Sequence, residues 1–233
     1  STGNFMGIFG FLNSATVRDL NISNINIHAP QHSYVGGLTG SMGASTIKNV
    51  NVLNGTINAI NLVGGLVGSD SDDNNVISDS SATVTITTPS TGGGSGYIGG
   101  FIGAINHSTE LTNNHASGSV TSPNSSVGGF AGLATSGDLI YCFSSATVQG
   151  ADNVGGLIGE NHGASIFNSH ASGEVSGANN VGGLVGQFTG SMMLESSYSI
   201  SNVTGTGSNV GGLLGLSGGS NTINNVYATG NVT

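Results

Sequence analysis

The 233-residue chain has very little charge: Lys, Arg, Asp and Glu together make up 6% of it, against about a quarter in an ordinary soluble domain. Its two permanent cations are Arg18 and Lys48, and the formal net charge is −9. Phosphate backbones are held by Lys and Arg, so nucleic acid is excluded as a partner, and an anionic membrane surface with it. The chain has no Trp, three Pro and one cysteine, Cys142. A lone cysteine permits no internal disulfide, which argues against a disulfide-stapled secreted domain. No apolar run approaches the ~18 residues of a membrane span, so membrane insertion is not expected. Helix is opposed by the density of Gly and β-branched residues and by the lack of a 3.6-residue apolar stripe.

What is present is glycine, 42 residues of it, arranged in a repeat. A hexamer recurs as FMGIFG at 5–10, VGGLTG at 35–40, VGGLVG at 63–68 and IGGFIG at 98–103. It continues as VGGFAG at 127–132, VGGLIG at 154–159, VGGLVG at 181–186 and VGGLLG at 210–215. Successive starts lie 30, 28, 35, 29, 27, 27 and 29 residues apart. A second block follows each hexamer, as in IFNSHASGEV at 166–175 and INNVYATGNV at 223–232. Small-residue turns separate the blocks, so each unit reads as strand, turn, strand, turn, with room for a third short strand.

A helix-free period of this length predicts an all-β fold, a parallel β-solenoid (β-helix) of about eight coils of 27–35 residues. Right-handed winding is the default for parallel crossovers. One coil cannot bury its own apolar face, whereas stacked coils about 4.8 Å apart place like residues on like. The whole of 1–233 is one array. It opens and stops within a repeat, and so reads as a fragment of a longer chain. The 35-residue unit departs from the period, and its TGGGSG stretch at 91–96 reads as a flexible loop.

Repeated glycine pairs mark either positive φ or a close backbone approach. They are Gly36-Gly37, Gly64-Gly65, Gly99-Gly100, Gly128-Gly129, Gly155-Gly156, Gly182-Gly183 and Gly211-Gly212. Aligning the second blocks gives two further columns. One runs Asp19, Asn49, Asp79, Asn113, Tyr141, Asn168, Ser196, Asn225 and suggests a hydrogen-bonded amide ladder. The other runs His115, Phe143, His170, Tyr198, Tyr227 and suggests an aromatic and imidazole stack along the rod.

The hexamer VGGLVG, a small turn, an Ile-x-Asn strand and the ATGNV-like ending together resemble the GLUG motif, and the resemblance spans nearly the whole chain. It implies an exported repeat region of a bacterial surface or secreted protein of the filamentous-haemagglutinin-like kind. No catalytic residues come with the motif. The first copy departs from it, with Met6 in place of the first glycine.

Candidate chemistry is sparse. GGLVG resembles a phosphate loop, but the helix N-terminus and lysine that such loops use are missing. Sugar cleavage needs two placed carboxylates. Asp152 with Glu160, and Glu174 with Glu195, are the nearest pairs, without a supporting base. Asp70, Asp72, Asp73 and Asn74 form the opening of a calcium loop, which then fails at Asn75 and Ser81, where an EF-hand has Gly and Glu. Weak calcium binding is the most this loop suggests, and no other cofactor is expected. His115 and His170 stand two coils apart, about 9.5 Å, too far to share a zinc. Cys142, inside a strand, reads as a buried thiol. Thr83, Thr85 and Thr87 do not recur in other coils as a regular ice-binding face would require.

The expectation is therefore a non-enzymatic extracellular or cell-surface rod or adhesive segment, with a glycan-binding adhesin module and an accessory domain of a secreted enzyme as the alternatives. Its expected partners are neighbouring coils or copies of itself end to end. Glycans are a further expected ligand, because a neutral Asn/Ser/Thr surface hydrogen-bonds to sugars.

Overall fold

The computed structural model describes residues 5–89 and 95–233. Its strands pair in parallel, each with the strand one coil away. One sheet stacks eight strands: Phe9–Asn13, Thr39–Gly43, Val67–Asp70, Ile102–Ile105, Ala131–Ala134, Ile158–Asn161, Val185–Gly190 and Leu214–Gly219. Eight rungs enclose about 7 turns, slightly fewer than the eight coils that the copies of the hexamer suggest. The remaining 23 described strands form a second continuous hydrogen-bonded system around the other sides of the coil. The loop expected at 91–96 lies, apart from its last two residues, outside the described residues.

The hexamer is a corner and not a single strand. In the sixth copy Val154–Gly155 closes one sheet, the chain bends at Gly156 and Leu157, and Ile158–Asn161 opens the other. Glycine is required here because backbone lies on backbone, across the corner for the first of the pair and against the next coil for the second. A Cβ on Gly155 would lie 2.0 Å from the carbonyl oxygen of Ile158, and one on Gly156 would lie 2.2 Å from that of Gly183. The pairs are thus sites of close approach. Positive-φ glycines among the described residues lie elsewhere, at Gly118, Gly137, Gly190 and Gly219.

From the second to the seventh copy the fourth hexamer residue is buried, and in the fourth and fifth copies it is Phe101 and Phe130, with rings stacked 4.6 Å apart. Ile, Val and Leu of the second block fill the rest of the core, with Ile47, Ile77, Leu111, Leu139, Ile166 and Leu194 stacked in register. Each coil in the second half uses more and shorter strands than the expected two or three. Ser165–Phe167 and His170–Ala171 are separate because Asn168 turns the chain with φ 50°.

Candidate functional site

The column from Asp19 to Asn225 is a line of left-handed residues. Asp19, Asn49, Asp79, Asn113, Tyr141, Asn168, Ser196 and Asn225 all have φ between 50° and 57°. Asn and Asp tolerate this region best among residues with a Cβ, which accounts for six of the eight. Hydrogen bonding along the column is pairwise: Asn49 Nδ2 donates to Asp19 Oδ1 (2.8 Å), Asn113 Nδ2 to Asp79 Oδ1 (2.9 Å) and Asn225 Nδ2 to Ser196 Oγ (3.1 Å). Tyr141, 56% exposed, interrupts the amides between Asn113 and Asn168.

A second left-handed column stands just before the Val-Gly-Gly corner, and sequence reasoning missed it. It contains Tyr34, Leu62, Tyr97, Ser126, Asn153, Asn180 and Asn209. Its last three members form an unbroken ladder, Asn209 Nδ2 to Asn180 Oδ1 and Asn180 Nδ2 to Asn153 Oδ1, each 2.8 Å. The signal was the Asn preceding VGG in the last three copies.

The residue after each member of the first left-handed column points inward. Ser169 accepts a hydrogen bond from the backbone N–H of Cys142 (3.0 Å) and donates to the carbonyl of Phe167 (2.8 Å). Ser197 serves Ser169 N–H and the Glu195 carbonyl in the same way. Cys142 occupies one of these slots. Burial pushes its thiol up to about 12.

One position further on lies the aromatic column. His115 and Phe143 stack with centroids 4.2 Å apart, Phe143 and His170 at 5.0 Å, His170 and Tyr198 at 4.7 Å, and Tyr198 and Tyr227 at 4.8 Å. The last three pairs are parallel within 5°. In earlier coils the same column is polar: Asn51 Nδ2 donates to Asn21 Oδ1 (2.9 Å), and Ser81 Oγ donates to Asn51 Oδ1 (2.7 Å). The rings lie across the rod axis, so their faces meet one another and their edges meet solvent. Partial burial holds His115 and His170 below the usual histidine value, and for His115 the nearby His170 adds to this.

The acidic loop divides. Asp70 turns inward: Asn106 N–H donates to its Oδ1 (2.6 Å), and His107 N–H (3.1 Å) and Thr109 Oγ1 (2.6 Å) donate to its Oδ2. Burial raises its carboxyl above the usual range, against the lowering effect of those bonds and of His107. Asp72, Asp73 and Asn74 stay exposed. Asp73 accepts from Ser108 N–H (3.0 Å) and lies 3.7 Å from His107. Asp70 therefore fastens the loop of the next coil. No group of three or more His, Cys, Asp or Glu within metal reach occurs among the described residues.

Glu160 is also committed between coils. Ser126 Oγ donates to its Oε2 and His162 Nε2 meets its Oε1, both at 2.6 Å, while His162 Nδ1 meets Thr189 Oγ1 at 2.9 Å. Asp152 Oδ1 accepts from both the backbone and side chain of Asn179 (3.1 and 2.9 Å). These carboxylates tie rungs together.

Residues 123–149 and 150–176 each match the GLUG motif. Two consecutive coils of the chain thus match that motif. Each matched stretch covers one coil, including the inward Val, the left-handed residue and the small-residue turns. Halomucin of Haloquadratum walsbyi is 37% identical over 123 residues, a stretch that covers 49% of this chain and 1% of that protein. That organism is an archaeon, so the bacterial source expected from the resemblance is not carried by this relative. No solved structure matches the chain.

Proposed function

We propose that this GLUG array is a non-catalytic structural segment of an extracellular or cell-surface protein, a stiff rod that spaces or links other parts of an assembly. The observation that carries this reading is where the polar side chains go. Many of the amides, hydroxyls and carboxylates are bonded from coil to coil, as in Asn153–Asn180–Asn209 and Ser126–Glu160. Groups held in that way resist bending of the rod and are withdrawn from reaction. The neutral surface supports the same reading, since few charges respond to salt. The GLUG match and the halomucin likeness support a surface location.

Its partners in this reading are further coils, from the same chain or from another copy. The first described coil exposes Phe5, Ile8, Phe9 and Phe11, and the last exposes Ile223, Tyr227 and Val232. Parallel strands with free edges accept another strand. Electron microscopy of the purified chain over a concentration series tests this. Rods that lengthen into unbranched filaments support end-to-end pairing. Irregular globular particles would rule out a rod.

A further inference from the structure

Beyond the rod, we propose that Asn54 is a site of N-linked glycosylation, its side-chain amide taking one saccharide chain from a lipid-pyrophosphate donor. The inference rests on the surface location proposed above, because Asn-linked sugars are carried by exported chains. Asn-X-Ser/Thr, with X other than Pro, is the acceptor pattern. It occurs at Asn21, Asn54, Asn106, Asn124, Asn202 and Asn231. The pattern by itself is common in a chain so rich in Asn, Ser and Thr, and it is the fold that separates the six.

Five of them are committed within the rod. Asn124 is buried, with Nδ2 3.4 Å from Thr88 Oγ1 and from the Pro89 carbonyl. Asn106 Nδ2, the atom that would carry the sugar, donates to Ser69 Oγ (2.9 Å). Asn21 lies within a strand and accepts from its rung partner, Asn51 Nδ2 (2.9 Å). Asn202 and Asn231 tie consecutive coils to each other: Asn231 N–H donates to Asn202 Oδ1 (3.1 Å), and the hydroxyls of Thr204 and Thr233 meet at 3.2 Å.

Asn54 differs. It is an extra residue between Leu53, paired with Thr83, and Gly55, paired with Val84. A bulged residue has no partner on the facing strand, so Asn54 stands out from the rung, exposed, at φ 55°. Its amide can be reached without pulling a rung apart. Gly55 dips beneath it: a Cβ there would lie 2.8 Å from Ile25 Cγ1 and 3.0 Å from Val84 Cγ1. Thr56, the hydroxyl residue of the pattern, is exposed again and donates to Asn26 Oδ1 (3.1 Å). A groove of about 280 Å³ opens beside the bulge, lined by Thr56, Thr83, Thr85 and Gly118, and gives the first sugar ring room next to hydroxyl groups. In the transfer, Asn54 Nδ2 attacks the anomeric carbon. The N–C1 bond forms, the C1–O bond breaks with its electron pair leaving on the lipid pyrophosphate, and the amide proton passes to a base of the transferase. Nothing is oxidised or reduced.

The test incubates the folded 233-residue chain with a purified oligosaccharyltransferase and a lipid-pyrophosphate-linked oligosaccharide, and reads the intact mass and the modified peptide by mass spectrometry. The expected product carries a single oligosaccharide, on Asn54. Asn54→Asp removes the amide nitrogen but keeps a side chain that tolerates left-handed φ, so it should hold its Tm and gain no sugar at this position. Thr56→Val, which leaves the amide in place, should abolish transfer, and Thr56→Ser should retain it. If Asn54 stays unmodified where an Asn-Gly-Thr peptide in a parallel reaction is modified, the proposal is overturned. Modification of Asn21, Asn202 or Asn231 in preference to Asn54 also overturns it, because the bulge then confers nothing. Donor and transferase are both supplied, so the result does not depend on where the native chain resides, and the surface reading stands or falls separately.

Discussion

Phe143 lies face to face with His170, ring centroids 5.0 Å apart and planes within 5°, one coil below it and one above His115. It is the second ring of a five-ring column and stacks on both neighbours. Aromatic pairs contribute about 0.5–1.5 kcal/mol each beyond burial, so Phe143→Ala, which removes two, should lower stability by roughly 2–4 kcal/mol. Phe143→Tyr should keep most of it. Urea unfolding followed by far-UV circular dichroism distinguishes the two, and equal losses would show that ring stacking contributes nothing.

The same column makes stability pH-dependent. His115 and His170 are held below their ordinary value of 6.5 in the folded chain, so the unfolded chain binds more protons. Stability rises with pH in that case. Their contribution is fully present above 6.5 and is lost as pH falls from there through the lowered folded values. His115 faces Ser81, Phe143 and Ser145, and His170 faces Phe143 and Tyr198; none is a carboxylate that would pair with the imidazolium. Asp70 works in the opposite sense, its raised carboxyl favouring the fold as pH falls. The Tm should therefore drop on acidification below 6.5, and drop less in the His115→Phe, His170→Phe double variant. An identical slope in both proteins would refute the assignment.

At the corner, Gly156→Ala places a methyl 2.2 Å from the Gly183 carbonyl oxygen and 2.8 Å from Ala171 Cβ. Neither neighbour can give way, since one is backbone and the other is a core methyl. A loss of roughly 3 kcal/mol or failure to fold is expected. Gly218→Ala is the control: its Cβ would meet only Thr189 Cγ2, at 3.5 Å. A Tm for Gly156→Ala as high as that of the control would contradict the close-approach account.

Tyr141 occupies a left-handed slot, φ 55°, with its ring 56% exposed. Tyrosine bears a steric cost there that Asn relieves. Tyr141→Asn is expected to raise stability by about 0.5–1 kcal/mol, and a thermal melt that moves downward would show that the tyrosine ring contributes more than its backbone costs.

Cys142 should be inert in the native state. Burial with a thiol near 12 leaves almost no thiolate at neutral pH. A disulfide exchange reagent should label it only as fast as the chain unfolds. Rapid stoichiometric labelling of the folded protein would be inconsistent with the burial described here.

Much of this protein is legible in the sequence because a solenoid turns period into register. Once the hexamers at 127, 154 and 181 are aligned, Val127, Val154 and Val181 must be rung partners, and His115, Phe143, His170, Tyr198 and Tyr227 must fall in one line. The expectation of no nucleic-acid partner came from composition alone, because so few cations are present. Three features were left to the tertiary structure. Whether the glycine pairs supply positive φ or room for a close approach depends on how two sheets meet, and that carries no periodic signature. Left-handed conformation at Tyr34, Leu62 and Tyr141 runs against residue preference and is imposed by the corners of the coil. The inward turn of Asp70 is decided by donors 36 to 39 residues away, at Asn106, His107 and Thr109, because a buried carboxylate takes whatever donors the next coil presents.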